Sequence, residues 1–158
     1  YGLEVNAEVD ERYHVAAATR AACGYLREAY ERFGSWSLAA ASYNMGMGGL
    51  SRELSEQAVD SYWDLHLNAE TARYVYRLLA VKEVFENPEK FGFELQSEDL
   101  YAPYEVVDLE IDQTIPDLAA FAQQHGTNLK VLKALNPWLR DDFLPISTGN
   151  SYLISLPA

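Results

Sequence analysis

Between Val15 and Phe33 the apolar side chains Val15, Ala18, Ala22, Tyr25, Leu26, Ala29 and Phe33 recur every three or four positions, and Arg20, Arg27, Glu28, Glu31 and Arg32 fill the gaps. That period predicts an amphipathic helix, with Gly34 as its stop. Ser35 is placed to cap a second helix from Trp36 to about Met45. Its run Ala39-Ala40-Ala41 lets neighbouring helices approach closely, which predicts the most buried helix of the set, ended by Gly46, Gly48 and Gly49. A third, shorter helix is expected over about residues 50–57. The connector at residues 61–67 (SYWDLHL) is expected to turn Trp63 and Leu65 inward. Asn68 then suits an N-cap, and Glu70 stands in the first turn, where a carboxylate complements the helix dipole. The fourth helix runs to about Glu86 with Tyr74, Leu78, Val81 and Phe85 as one stripe, until Asn87-Pro88 stops it.

Residues 1–14 carry no sustained period and read as an irregular lead-in, in which Asp10, Glu11 and Arg12 can form a local ion-pair knot. After residue 93 the pattern changes. Residues 94–103, with Gln96, Ser97, Glu98, Asp99 and Pro103, read as a linker, and residues 104–158 as a small unit of its own. There a valine-rich strand is expected at 104–109. Thr114 followed by Asp117 suggests a cap for a helix through His125, and Asn128 caps a second helix ended by Asn136-Pro137. A closing strand is expected at 152–156. The order is β-α-α-β, and so short a segment predicts a marginal core.

Composition narrows the partners. Hydrophobic residues make up 49% of the 158 and charged residues 23%, which are globular proportions. A net charge of -12 repels phosphate backbones and argues against nucleic acid, as it does against an anionic membrane surface. No apolar run approaches the roughly 20 residues needed to span a bilayer. Cys23 is the only cysteine, which excludes an internal disulfide; its helical neighbours Thr19, Leu26 and Tyr30 predict a buried thiol. His14, His66 and His125 lack metal-ligand spacing, and the glycine run 46–49 lacks the lysine and preceding strand of a phosphate cradle. Neither a metal nor a cofactor is expected. The aromatic content of 13% suits a carbohydrate ligand, because sugars stack on such rings while amides and carboxylates take their hydroxyls. Tyr43, Asn44, Trp63, Glu70 and Tyr74 fit that description, with simple helix packing as the competing reading for Trp63 and Tyr74.

The ordered stretches VDER (9–12), ATRAACGYL (18–26), FGSWSLAAASYNMG (33–46), YWDLHLNAETARYV (62–75) and NPEKFGF (87–93) resemble the soluble-lytic-transglycosylase family, closest to its membrane-bound murein transglycosylase group. The resemblance implies a mainly α fold, the C-terminal part of a goose-lysozyme-like helical domain over residues 1–93. It also implies cleavage of the MurNAc–GlcNAc β-1,4 bond of peptidoglycan with formation of a 1,6-anhydro end. One glutamic acid protonates the glycosidic oxygen, the substrate's own acetamido group assists at C1, and the tethered C6 hydroxyl closes the ring without a positioned water. In that family the acid sits in a Glu-Ser motif ahead of the stretch matching Tyr1-Gly2-Leu3. No catalytic residue is therefore expected within this sequence, and a missing N-terminal half of the same protein is implied. Carried over as substrate-binding residues are Tyr43, Asn44 and Gly46 of the tyrosine-asparagine motif, with Glu70 and Tyr74 of the second motif; Trp63 is a further candidate contact. The implied partner is the peptidoglycan glycan strand. The implied location is the cell envelope, periplasmic, with anchoring at the outer membrane left to the missing N-terminus.

Residues 104–158 resemble a divergent LysM module, a βααβ fold that binds N-acetylglucosamine polymers. Asn136-Pro137 suits the pattern, whereas residues 111–115 (IDQTI) and the long loop 140–150 depart from it in the two loops that hold the sugar. A weak peptidoglycan anchor and a structural appendage both remain open for this unit. For the chain as a whole, a non-catalytic peptidoglycan-binding or scaffold protein is the alternative to an enzyme.

Overall fold

The division of the chain runs through its first helix. In the computed structural model, which describes every residue from Tyr1 to Ala158, one unit is formed by Tyr1–Ala21 with Ala102–Ala158 and the other by Ala22–Tyr101. Helix α1 (Val15–Phe33) carries the chain from the first unit into the second.

The second unit continues with α2 (Trp36–Met45), α3 (Met47–Gln57) and α4 (Ala69–Glu86). Ser35 caps α2 by accepting a hydrogen bond from the Leu38 N–H, and Asn68 caps α4 by accepting from Glu70 N and Thr71 N. These are the caps that the sequence predicts. Helix α2 is the buried centre, with Leu38, Ala39, Ala41 and Ser42 all inaccessible, and its alanine face packs against α3 and α4. Leu38, Ala41, Leu50, Tyr62 and Val75 form the core, with Phe33, Met45, Leu54, Leu65 and Leu67 packed around it.

Four expectations for this unit are corrected. Helix α3 begins at Met47, so Gly48 and Gly49 are helical and Gly46 alone separates α2 from α3. In the connector it is Tyr62 that turns inward, donating its hydroxyl to the Ala72 carbonyl at 2.8 Å, while Trp63 stays 57% exposed. A 3-10 turn at Tyr62–Asp64 sets the two rings edge to face, with only Tyr62 inside. Cys23 is exposed, because the buried side of α1 runs through Ala29 and not through the thiol. The predicted stripe of α4 is buried only beside it, at Thr71 and Val75, whereas Leu78, Val81 and Phe85 face solvent. No helix of the chain is long and apolar enough to cross a membrane.

In the other unit, β1 (Val106–Ile111) pairs antiparallel with β2 (Tyr152–Pro157), with Leu109 opposite Ile154. Helices α5 (Leu118–Gln124) and α6 (Leu129–Leu135) lie between them in sequence, as the β-α-α-β order requires. Asp117 is the cap of α5, accepting from Ala119 N and Ala120 N, while Thr114 is engaged elsewhere, by Ile146 N. The first strand starts two residues later than expected. Asn136 is fully buried, and its amide bridges the Leu132 carbonyl and both polar backbone groups of Ser155, tying α6 to β2.

The lead-in is the larger surprise. Residues 1–14, expected as an irregular start to the helical domain, add to the βααβ unit. Val9 bridges antiparallel to Leu139 and is 1% exposed, Asp10 N donates to the Trp138 carbonyl, and Arg140 N donates to the Glu8 carbonyl. The expected knot is partly formed: Arg12 pairs with Asp10 at 2.6 Å, but Glu11 turns away to accept from Glu4 N. Ten hydrophobic residues are buried together, from Val9 through Leu118, Leu132, Trp138 and Leu144 to Leu156. The core predicted to be marginal is well filled.

Candidate functional site

The tyrosine and asparagine that end α2 stand beside the first turn of α4. Asn68 holds that turn. Its carboxamide oxygen takes the first two free N–H groups, and its nitrogen donates to Thr71 Oγ1 at 3.1 Å. The Thr71 hydroxyl, 1% exposed, donates in turn to Asn44 Oδ1 at 2.8 Å. With its oxygen so engaged, the Asn44 amide must present its nitrogen outward, where it donates to Glu70 Oε1 at 3.4 Å. A hydrogen-bond chain through the buried Thr71 hydroxyl thus fixes the orientation of an amide that is itself only half-buried.

The aromatic part follows the same division into a held base and an open face. Tyr43 is 47% exposed and meets Tyr25 of α1 edge-on, with ring centres 5.3 Å apart at 89°. Tyr25 is held by donating its hydroxyl to the Ser42 carbonyl at 2.6 Å. Tyr74 lies one helical turn beyond Glu70 on the same face of α4. Burial pushes its phenol above the ordinary value, with a smaller push from Tyr43. Gly46 holds φ 82 and ψ 145, a conformation that L-residues with a Cβ essentially do not adopt. A Cβ there would meet nothing within 4 Å, so the glycine is demanded by its backbone and faces open space.

Of the predicted residues, the structure therefore brings together Tyr43, Asn44, Glu70 and Tyr74, with Gly46 at the turn after Asn44. Trp63 belongs to a different aromatic group, edge-on to Tyr62 at 5.0 Å and to Tyr76 at 5.8 Å. Two participants were missed. Thr71 could have been found as the third residue after the cap Asn68, where a hydroxyl commonly supports a cap. Tyr25 was assigned to the core stripe of α1, and no local signal marks its pairing with Tyr43. No group of three or more His, Cys, Asp or Glu side chains comes together in a way that could hold a metal ion.

A cluster of one amide, one carboxylate and two phenols, fixed from behind and open in front, can hydrogen-bond and stack a polar ring but contains no acid in an apolar pocket. The model of the transglycosylase SLT domain matches residues 1–65, which include Tyr43, Asn44 and Gly46. That of the soluble lytic transglycosylase C-terminal LysM-like domain matches residues 107–158. Membrane-bound lytic murein transglycosylase D of Escherichia coli strain K12 is 28% identical over 159 residues, covering 98% of this chain and 34% of that protein. The same-named protein of Escherichia coli O6:H1 matches to the same extent. The chain thus spans about a third of the length of the curated relatives it matches. An SLT segment and a LysM-like C-terminal domain thus follow one another on this chain, in which it is similar to soluble lytic transglycosylases.

Proposed function

We propose that this chain works as part of a peptidoglycan lytic transglycosylase of the cell envelope, which cleaves MurNAc–GlcNAc β-1,4 bonds and leaves 1,6-anhydro-MurNAc ends. Residues 1–93 are assigned to the transglycosylase domain, 94–103 to a linker and 104–158 to the LysM-like domain. The observation that carries the reading is the Asn68–Thr71–Asn44 chain, which presents Asn44, Tyr43, Glu70 and Tyr74 on one side. In this role Asn44 and Glu70 take sugar hydroxyl and acetamido groups, and the Tyr43 and Tyr74 rings line the strand. Glu70 is exposed and accepts from Asn44 Nδ2, outside any apolar pocket, so it serves as a wall of the cleft and not as the proton donor. The acid is placed outside these 158 residues, in an upstream Glu-Ser helix, since no Glu-Ser pair occurs in the sequence.

Incubation of the chain with murein sacculi, followed by chromatography of the soluble products, tests this. The chain alone is expected to release no anhydro-muropeptides, and appreciable release would refute the placement of the acid. In a sacculus pull-down, Tyr43→Ala and Asn44→Ala should each lower retention of the chain. Retention equal to the parent would remove these residues from the substrate site. The lack of a Glu-Ser pair also suits a non-catalytic peptidoglycan-binding or scaffold protein. Sequencing the source gene upstream of Tyr1 separates the two: a Glu-Ser helix followed by a Gly-Leu-x-Gln stretch supports the enzyme, and its absence the binder.

A further inference from the structure

A second concave site lies in the unit that the lead-in completes. A cavity of about 450 Å³ is lined by Glu11 and His14 from the N-terminal segment, Glu110 of β1, Trp138, and Ser151, Tyr152 and Leu153 at the start of β2. It uses neither of the two loops, 111–115 and 140–150, by which the resemblance would have a LysM module hold its sugar. Its aromatic wall is already stacked on itself. Trp138 is 4% exposed, with His14 at 6.5 Å and 19° and Tyr152 at 5.5 Å and 23°. Trp138, the widest of these rings, is buried and offers no face to a sugar.

The polar groups decide the ligand. Glu11 Oε2 accepts from Glu4 N at 2.7 Å, and Glu110 Oε1 accepts from Ser151 Oγ at 2.8 Å, so each lining carboxylate keeps its other oxygen for a further donor. Both oxygens of Glu4 are taken, by Asn6 and by the Tyr152 hydroxyl, which fixes that ring in place. No lysine or arginine lines the cavity: Arg12 is paired with Asp10, and Arg140 lies over the Tyr13 ring at 4.5 Å. An anion would meet two carboxylates with no counter-charge. A cation meets two spare carboxylate oxygens and a serine oxygen. We propose that this cavity binds the ammonium group of an amine-bearing peptide side chain, with Glu11 and Glu110 as its charge partners. The negative field there is also felt by Tyr152, whose phenol is pushed up to about 12 by burial, by its bond to Glu4 and by the charges of Glu4 and Glu11.

The test is independent of glycan cleavage and is made on the whole chain. Nα-acetyl-lysine amide is titrated while the indole N–H signal of Trp138 and the backbone signals of Tyr152 and Leu153 are followed by NMR. Nα,Nε-diacetyl-lysine amide, of nearly the same shape without the charge, is the control. Saturable shifts with the first probe and none with the second are expected. Glu110→Gln should weaken binding about tenfold, as loss of one charge-assisted partner does. Equal shifts with both probes, no shift with the charged one, or undiminished binding by a folded Glu110→Gln chain would each overturn the proposal. The two-probe comparison on the unaltered chain decides the matter even if a variant misfolds.

Discussion

The two units are of similar length and are built differently. The one containing Ala102–Ala158 buries ten hydrophobic side chains in one cluster, large ones such as Leu118, Leu132, Leu144 and Ile154 among them. Ala22–Tyr101 buries five in its cluster and leaves Leu78, Leu79, Val81 and Phe85 of α4 between 44% and 78% exposed. Its central helix packs through alanines, which permit close approach but remove little apolar area from water. The helical unit consequently depends more on polar ties between elements: Tyr25 to Ser42, Tyr62 to Ala72, and Thr71 to Asn44. These ties are also what position its candidate site, so site geometry and stability are coupled there. In the βααβ unit a larger apolar core does most of this, supplemented by the buried Asn136 tie between α6 and β2.

The largest test of that contrast is Leu132→Ala, which should cost about 2–5 kcal/mol in denaturant unfolding of the βααβ unit because the side chain is fully buried. Thr71→Val keeps the shape but removes the hydroxyl, leaving Asn44 Oδ1 without its donor. A loss of about 1–3 kcal/mol in the helical unit is expected, with weaker sacculus retention, and Thr71→Ser should restore most of both. If Thr71→Val alters neither, the polar tie is not what holds α2 to α4. Gly46→Ala should cost about 1–3 kcal/mol through its backbone conformation alone, since there is space for the methyl group. Phe85→Ala, at a position 78% exposed, should fall within about 0.5 kcal/mol of the parent. A cost well above that in a melting curve would mean the α4 face is covered in solution, and the contrast would fail.

The smallest effect is one of pH. The folded value of Tyr152, about 12, lies above the ordinary 10.0, so the neutral phenol is favoured by the fold. Its contribution to stability is complete below pH 10.0 and is lost as pH rises from there through about 12. An ultraviolet titration should show one late tyrosine, and Glu4→Gln should bring it earlier. A Tyr152 titration unchanged by Glu4→Gln would show that the hydrogen bond between them is not formed.

What could be read along the chain was local. The 3.6-residue period placed α1 and α4, and the caps Ser35, Asn68 and Asn128 marked the starts of α2, α4 and α6, because a cap and a helical stripe are satisfied within a few residues of themselves. The same reasoning failed where two local solutions compete. Gly48 and Gly49 serve equally as helix stops and as members of a new helix, and both Thr114 and Asp117 are good caps for α5. For the site, Tyr43, Asn44, Glu70 and Tyr74 were legible as residue types in ordered motifs. Their convergence was not, nor was the role of Thr71, because a hydroxyl donating across 27 positions leaves no periodic trace.

The sequence by itself determined the elements, their order and the chemistry on offer: a mainly helical chain ending in a βααβ unit, with amide, carboxylate and phenol groups at the right helix ends. Only the tertiary structure decided that residues 1–14 complete the C-terminal unit, that Tyr62 and not Trp63 goes inside, and that the α4 stripe faces water. The physical reason is that burial depends on which surfaces meet, and an apolar periodicity records a helix's capacity to be buried without naming the partner that buries it.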